Sequence, residues 1–403
     1  MGFFRFKGEV PVEKNYTTLR GRLDKLRDRG MDIPKDKEKE RAVIKRHNYY
    51  NLINGYKTPF LEDKNNYPGY ADPDEDFYIR GTSPSHLESL YLFDERLRRI
   101  FLDRILKIEQ QLKDIIVQSF YEYHTDCGKN KLVDILHRES EYLRRDYYDL
   151  STVNTFVVNE KSAHKYTVLG THPGRDNTMK RKPKEFTINK DEIYHSLIAI
   201  IYRQIGQQRK KTESIRAYLN THTYLPMWIL SNILTFGNIS KMFEIQKLDV
   251  QLLVLNKLKL NNGTLTDELK VLNATRVIHI LGLFRNSCAH NERFYCNNIH
   301  TPIDDDFMGY LEKFPQYANV MRHKGTNSYL NSSDAKKLER YRHGIYTLMY
   351  CISLFLNNSE LTKFKNEVRK EFALLQSSIA TRPYKEVEKL MGLDFDWYSY
   401  LTK

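Results

Sequence analysis

Between Leu87 and Tyr123 apolar residues recur every three or four positions, at Leu90, Phe93, Leu97, Ile100/Phe101, Ile105, Ile108, Leu112 and Ile115/Ile116. That spacing is the period of an α-helix with one buried stripe, sustained for about ten turns. Such a helix dictates what can pack beside it. The chain is therefore expected to be mostly α, a helical bundle with long loop insertions and a small N-terminal helical segment. Glu109 falls among the apolar positions of this helix. Two readings fit it: a polar group facing a functional stretch, or an ordinary ion pair with a neighbouring Arg.

Shorter segments repeat the helical period on either side. Tyr16–Arg29 carries Leu19, Leu23 and Leu26 and is ended by Gly30. Asp36–Asn54 predicts a second, Lys-rich helix with Val43, Ile44 and Leu52 inward, stopped by Gly55 before Pro59. Residues 61–86 have turn composition, and Ser83 or Ser85 is positioned to cap the long helix. The organisation expected is an N-terminal basic helical segment and linker over 1–86, then a helical domain over 87–403.

Within that domain a helix near Lys131–Tyr142 and a short strand at Val153–Val158 precede a basic loop from His172 to Lys184. Helices follow at Glu192–Gln208, which Arg209-Lys210-Lys211 ends or interrupts, and at Arg216–His222. Another runs from Trp228 and bends at Gly237, one starts at Ser240, and Leu265–His290 comes next. Ser333–Leu356 and Leu361–Ser377 complete the set, with a tail that docks through Leu393, Phe395 and Trp397. Insertions are expected near 150–190 and 297–332, where Asp, Asn, Gly and Pro replace the apolar period.

The 403 residues are 40% hydrophobic and 29% charged, with no run of eighteen apolar residues and no signal-peptide h-region at the N-terminus. Cys127, Cys288, Cys296 and Cys351 include no C-x-x-C pair and no metal-ligand spacing. The expectation is a cytoplasmic protein with no membrane span, no metal and no cofactor. A net charge of +13 favours a polyanionic partner through phosphate contacts, without distinguishing RNA from DNA or an anionic membrane. Lys45, Arg46 and Lys57 stand beside Tyr49 and Tyr50, a mixture of cations and rings suited to unpaired bases, and equally to a solvated face beside a tyrosine-rich seam. Lys180, Arg181 and Lys182 would grip a phosphate backbone or form a plain exposed insertion.

The stretch Leu283–Tyr295 concentrates chemistry. It places Arg285, Asn286, His290, Asn291 and Arg293 at the end of an apolar helix whose inner face is marked by Leu269, Leu272, Ile280 and Phe284. Asn286 and His290 are four apart and share a face. Arg285 and His290 are five apart, about 140° round the helix, so they meet on one phosphate only if the Arg wraps back or the helix end distorts. An imidazole near its pKa moves protons at neutral pH, and a guanidinium holds two phosphate oxygens. Together they suit RNA cleavage by the 2′-hydroxyl, with the Arg stabilising the phosphorane and Asn286 orienting the imidazole. An Arg followed by a His five to seven positions later is common, and occurs also at Arg41/His47, Arg80/His86, Arg216/His222 and Arg293/His300. A helix end with a polar face and a basic last turn fits these residues too.

Arg285-Asn286-x-x-x-His290 resembles the signature of HEPN ribonucleases. A series of further stretches resembles the Abi-type (AbiD/AbiF-like) abortive infection proteins of bacteria. They are Leu23-x-x-Leu26-x-x-Arg29-Gly30-Met31-x-Ile33, Tyr49-Tyr50-x-Leu52-x-x-Gly55-Tyr56-x-x-Pro59-Phe60, Phe93-Asp94-x-x-Leu97-Arg98, Leu225-Pro226-x-Trp228, Phe236-Gly237-x-Ile239-Ser240, and Met391-Gly392 with Trp397. The resemblance implies a HEPN-like helical fold and a metal-independent endoribonuclease acting in anti-phage abortive infection. Arg285 and His290 would be catalytic, with Asn286 orienting them and Arg293 supporting phosphate binding. It also implies a homodimer that pairs two motifs, and for some members a small structured RNA as regulator. The alternative is a non-catalytic RNA-binding or toxin-neutralising module using the same groove. A DNA-acting factor is a third class, for which no helix-turn-helix or zinc motif is present.

Overall fold

The long apolar period folds as one continuous helix, Pro84–Asp126, with Leu97, Phe101, Ile105, Ile108, Leu112 and Ile116 all buried along it. The structure is a computed structural model and describes residues 16–34, 38–72, 74–126, 140–157, 184–260, 266–290, 292–297 and 344–402. Among these the chain is mostly helical, with a single pair of strands. It forms two compact units, one of Met1–Phe93 with Ala373–Tyr384 and the other of Asp94–Phe372 with Lys385–Lys403.

In the first unit α1 (Leu19–Asp28) buries Leu23 and Leu26, and the Thr18 side chain accepts from the Gly21 N–H at its start. Gly30 follows with φ +82°, and a Cβ there would lie 2.5 Å from the Phe77 ring, so both conformation and space require glycine. The single helix expected over 36–54 is instead two, α2 (Glu38–Arg46) and α3 (Tyr49–Tyr56). Asn48 makes the break: its side chain accepts from the Asn51 N–H and starts a new helix. Neither serine hydroxyl caps the long helix (α4, Pro84–Asp126) by the expected route. The buried Glu40 carboxylate accepts from the Ser85 N–H and hydroxyl, and the His86 ring accepts from the Ser83 N–H.

In the second unit β1 (Thr152–Val157) pairs antiparallel with β2 (Lys184–Asn189), Thr152 opposite Asn189 and Val157 opposite Lys184. The second strand corrects the loop expected through Lys184. The Asn189 side chain then caps α5 (Lys190–Lys211), and Arg209-Lys210-Lys211 is the last turn of that helix, not an interruption. Basic residues belong there, against the negative end of the helix dipole. Next come α6 (Glu213–Thr221), α7 (Met227–Ile233), α8 (Phe236–Glu244) and α9 (Leu248–Lys257). The expected bend at Gly237 lies earlier, at Leu234-Thr235, because the Thr235 hydroxyl caps α8 and puts Gly237 inside its first turn.

Helix α10 (Asp267–Ala289) packs on α8, α9 and α11 (Ile345–Ser353). Its buried residues Ala274, Val277, Ile278, Leu281 and Phe284 fall on one stripe, turned from the expected face, on which Leu272 is only half-buried. Gly282 permits the approach to α8: a Cβ there would press the Phe236 ring at 3.2 Å. Helices α12 (Asn358–Ser378) and α13 (Thr381–Leu390) follow, the latter unanticipated; its Pro383 lies in the first turn, where Pro is accommodated. The tail docks as expected, with Leu393 and Trp397 buried and Phe395 against Tyr346, and ends in α14 (Trp397–Tyr400). The helix expected near 131–142 and the 297–332 excursion fall almost entirely outside the described residues.

Candidate functional site

Helix α10 stays regular to Ala289, and His290 is its C-cap, its N–H donating to the Asn286 carbonyl at 2.9 Å. The helix end does not distort, so Arg285 and His290 keep their angular separation. Asn286 and His290 are exposed, while the Arg285 side chain is 33% exposed and turned toward α4. Among the described residues no hydrogen bond or ion pair joins the side chains of Arg285 and His290, and none joins Asn286 to the imidazole. Between them the Cys288 thiol faces the interior, and burial pushes it up to about 12. It is an inert core group at neutral pH.

The partner of Arg285 is Glu109. Its Oε2 lies 3.6 Å from the Arg285 Nε, and the same carboxylate pairs with Lys113 at 2.9 Å. Glu109 and Lys113 side chains are only 8% and 9% exposed. The two readings of Glu109 therefore coincide: the ion pair is real, and the neighbouring Arg is the one in the candidate motif. The cluster is incomplete. Glu109 Oε2 and Arg285 Nε are buried and make no hydrogen bond among the described residues. Glu109 thus faces one edge of the guanidinium at ion-pair distance, while the rest of the side chain retains access to solvent.

A second polar group secures the chain that leaves the helix. Asp94, fully buried on α4, accepts from the backbone N–H of Phe294 (3.0 Å) and of Tyr295 (2.6 Å). Arg98, one turn on, donates to Asp94 (3.2 Å) and to the Glu292 carbonyl (2.6 Å). Phe294 packs on Phe101 and Phe284, so the exit after His290 is pinned by both charge and rings. The sequence reading noted Asp94 and Arg98 only as part of a resembling stretch. Their place on the apolar stripe of the helix, four residues apart beside Phe93 and Leu97, is the signal that singles them out.

Arg293 is exposed and lies three residues beyond His290. The other residues expected to hold RNA are placed variously. Arg46 pairs with Glu88 at 2.9 Å, Lys57 pairs with Asp76, and Tyr49 lies under the Arg22 guanidinium. Lys45 and Tyr50 are exposed. Lys180, Arg181 and Lys182 lie outside the described residues. Among the described residues no group of three His, Cys, Asp or Glu side chains gathers as metal ligands would, and no helix is long and apolar enough to cross a membrane.

A sequence-family profile described as "Abi-like protein" matches residues 42–296, more than half of the chain. Those bounds take in Asp94, Arg98, Glu109, Lys113, Arg285 and His290. No curated protein and no solved structure matches.

Proposed function

The chain belongs to the Abi-like protein family, and on that premise we propose that it is a metal-independent, HEPN-type endoribonuclease acting in the cytoplasm in abortive infection against phage. The observation that carries this reading is the guanidinium of Arg285, faced on one edge by a buried carboxylate and open on the other, one turn before an exposed His290. A guanidinium in that state is preorganised for a phosphate, because its orientation is set before substrate arrives.

In the reaction the 2′-oxygen attacks the adjacent phosphorus and the 5′-oxygen of the next nucleotide leaves. The products are a 2′,3′-cyclic phosphate and a 5′-hydroxyl. Arg285 neutralises the charge on the non-bridging oxygens of the phosphorane. His290 takes the 2′-hydroxyl proton or returns one to the leaving oxygen. Arg293 adds phosphate contact, and Asn286, sharing the His290 face, orients the ring. Because Arg285 and His290 diverge within one chain, the working form is a C2 homodimer in which an isologous contact brings two motifs together.

The test is single-stranded RNA incubated with purified protein in excess chelator. Wild type is expected to cut and leave cyclic-phosphate ends. His290→Ala is expected to lose about 10²- to 10⁴-fold in rate, with its thermal unfolding unchanged because the side chain is exposed. RNA bound equally by both proteins and cut by neither would replace the nuclease with a non-catalytic binding module.

A further inference from the structure

Helix α5 presents an unneutralised basic surface. No acidic residue occurs between Glu192 and Glu213, while Arg203, Arg209, Lys210 and Lys211 are all exposed. Among the described residues none of these four makes an ion pair or a side-chain hydrogen bond. Elsewhere in this unit the arginines of α4 are matched, Arg96 to Glu371, Arg99 to Glu95 and Arg104 to Glu367. Tyr202 shares a stripe of α5 with Arg209, seven residues or about 10 Å along the axis, and Arg203 shares a parallel stripe with Lys210.

Two large rings are left in solvent beside these charges. Tyr202 is 60% exposed, and Trp228, on α7 packed against α5, is 45% exposed. The Trp228 indole lies 5.8 Å from the Tyr121 ring. Tyr202 and Trp228 thus stand on two helices that pack on one another. Helix α5 also packs on α8, the helix that supports α10. Exposed rings beside cations that make no ion pair among the described residues match a ligand that is both a polyanion and a stack of π-faces.

We propose that Trp228 and Tyr202 form a stacking platform for the unpaired bases of single-stranded RNA, whose phosphates are neutralised by Arg203, Arg209, Lys210 and Lys211. The platform rests on the reading of this protein as RNA-acting, but it is a binding surface separate from the Arg285 and His290 chemistry.

The chain holds two tryptophans, and Trp397 is buried, so quenching of exposed indole emission reports Trp228. The probe is a single-stranded 2′-O-methyl oligonucleotide, which lacks the nucleophile and remains intact, with its duplex as control. Wild type and Trp397→Phe are expected to be quenched by the single strand and not by the duplex. Trp228→Ala and Tyr202→Ala should each weaken its binding about fivefold to a hundredfold, and Trp228→Phe should largely restore it. Arg209→Gln with Lys210→Gln should flatten the salt dependence by roughly 1.4 in the log–log slope. Unquenched emission on binding, or Trp228→Ala binding like wild type, overturns the platform while leaving cleavage untouched. Quenching by a protein that cuts no RNA overturns the nuclease and leaves the platform standing. Trp228 emission that follows protein concentration alone, with Trp228→Ala sedimenting as a monomer, would assign the surface to a second copy of this chain and also overturn the platform.

Discussion

Helix α4 makes the same arrangement twice, an acid followed one turn later by a base, both buried and both reaching the segment around the candidate motif. At Asp94/Arg98 the acid accepts from two backbone N–H groups and from its own Arg, while the Arg also donates to a carbonyl. At Glu109/Lys113 the carboxylate is paired on one oxygen and left 3.6 Å from Arg285 on the other. Burying charge is tolerable only when hydrogen bonds offset lost hydration. The first pair comes nearer to that condition, with three donors on Asp94 and a carbonyl for Arg98, while Arg98 Nη2 is buried without a hydrogen bond. The second makes one close contact, between Lys113 and Glu109, and leaves Glu109 Oε2 and Arg285 Nε buried without a hydrogen bond.

The contrast predicts different failures. Asp94→Ala removes the acceptor for two buried N–H groups and leaves Arg98 buried without its counter-charge, so unfolding in urea should show a loss of about 3–5 kcal/mol. A loss under about 1 kcal/mol would mean the two pairs are alike. Glu109→Gln combined with Lys113→Met replaces the second pair by neutral residues of similar size. Its stability should stay within about 1 kcal/mol of wild type, while RNA cleavage falls about tenfold to a hundredfold in kcat at unchanged KM. Full activity in that double variant would make Glu109 merely structural.

An effect confined to acid pH concerns a further ionisable group on the helix, His124 in its last turn, which burial, helped by Lys247, lowers from 6.5 to about 4. Between those values the unfolded chain binds a proton that the folded chain refuses. Stability is therefore expected to decline as pH falls from about 6.5 toward 4. His124→Phe should flatten that limb of a pH-dependent melting series; an unaltered slope would place the acid sensitivity elsewhere.

Most helices were legible because their apolar period is local and long. The errors came where one side chain outweighed the period. Asn48 divides a helix that Val43, Ile44 and Leu52 seem to continue, and Thr235 moves a break away from the more obvious Gly237. Residues 373–384 cluster with the N-terminal unit, an assignment no local pattern contains. In the candidate site the sequence placed Arg285, Asn286 and His290 at the end of one helix, and the helix runs regularly to Ala289. It could not supply the partner of Arg285, which stands at position 109, or the anchors of the exit segment, 194 to 201 residues away in the chain.

The sequence by itself determined which segments are helical and which residue types stand at the end of α10, because both depend on neighbours a few positions apart. Only the tertiary structure decided that Glu109 faces Arg285 and that Asp94 fastens Phe294 and Tyr295. A buried charge is stabilised by whatever atoms surround it after folding, and helix period carries no record of which distant atoms those will be.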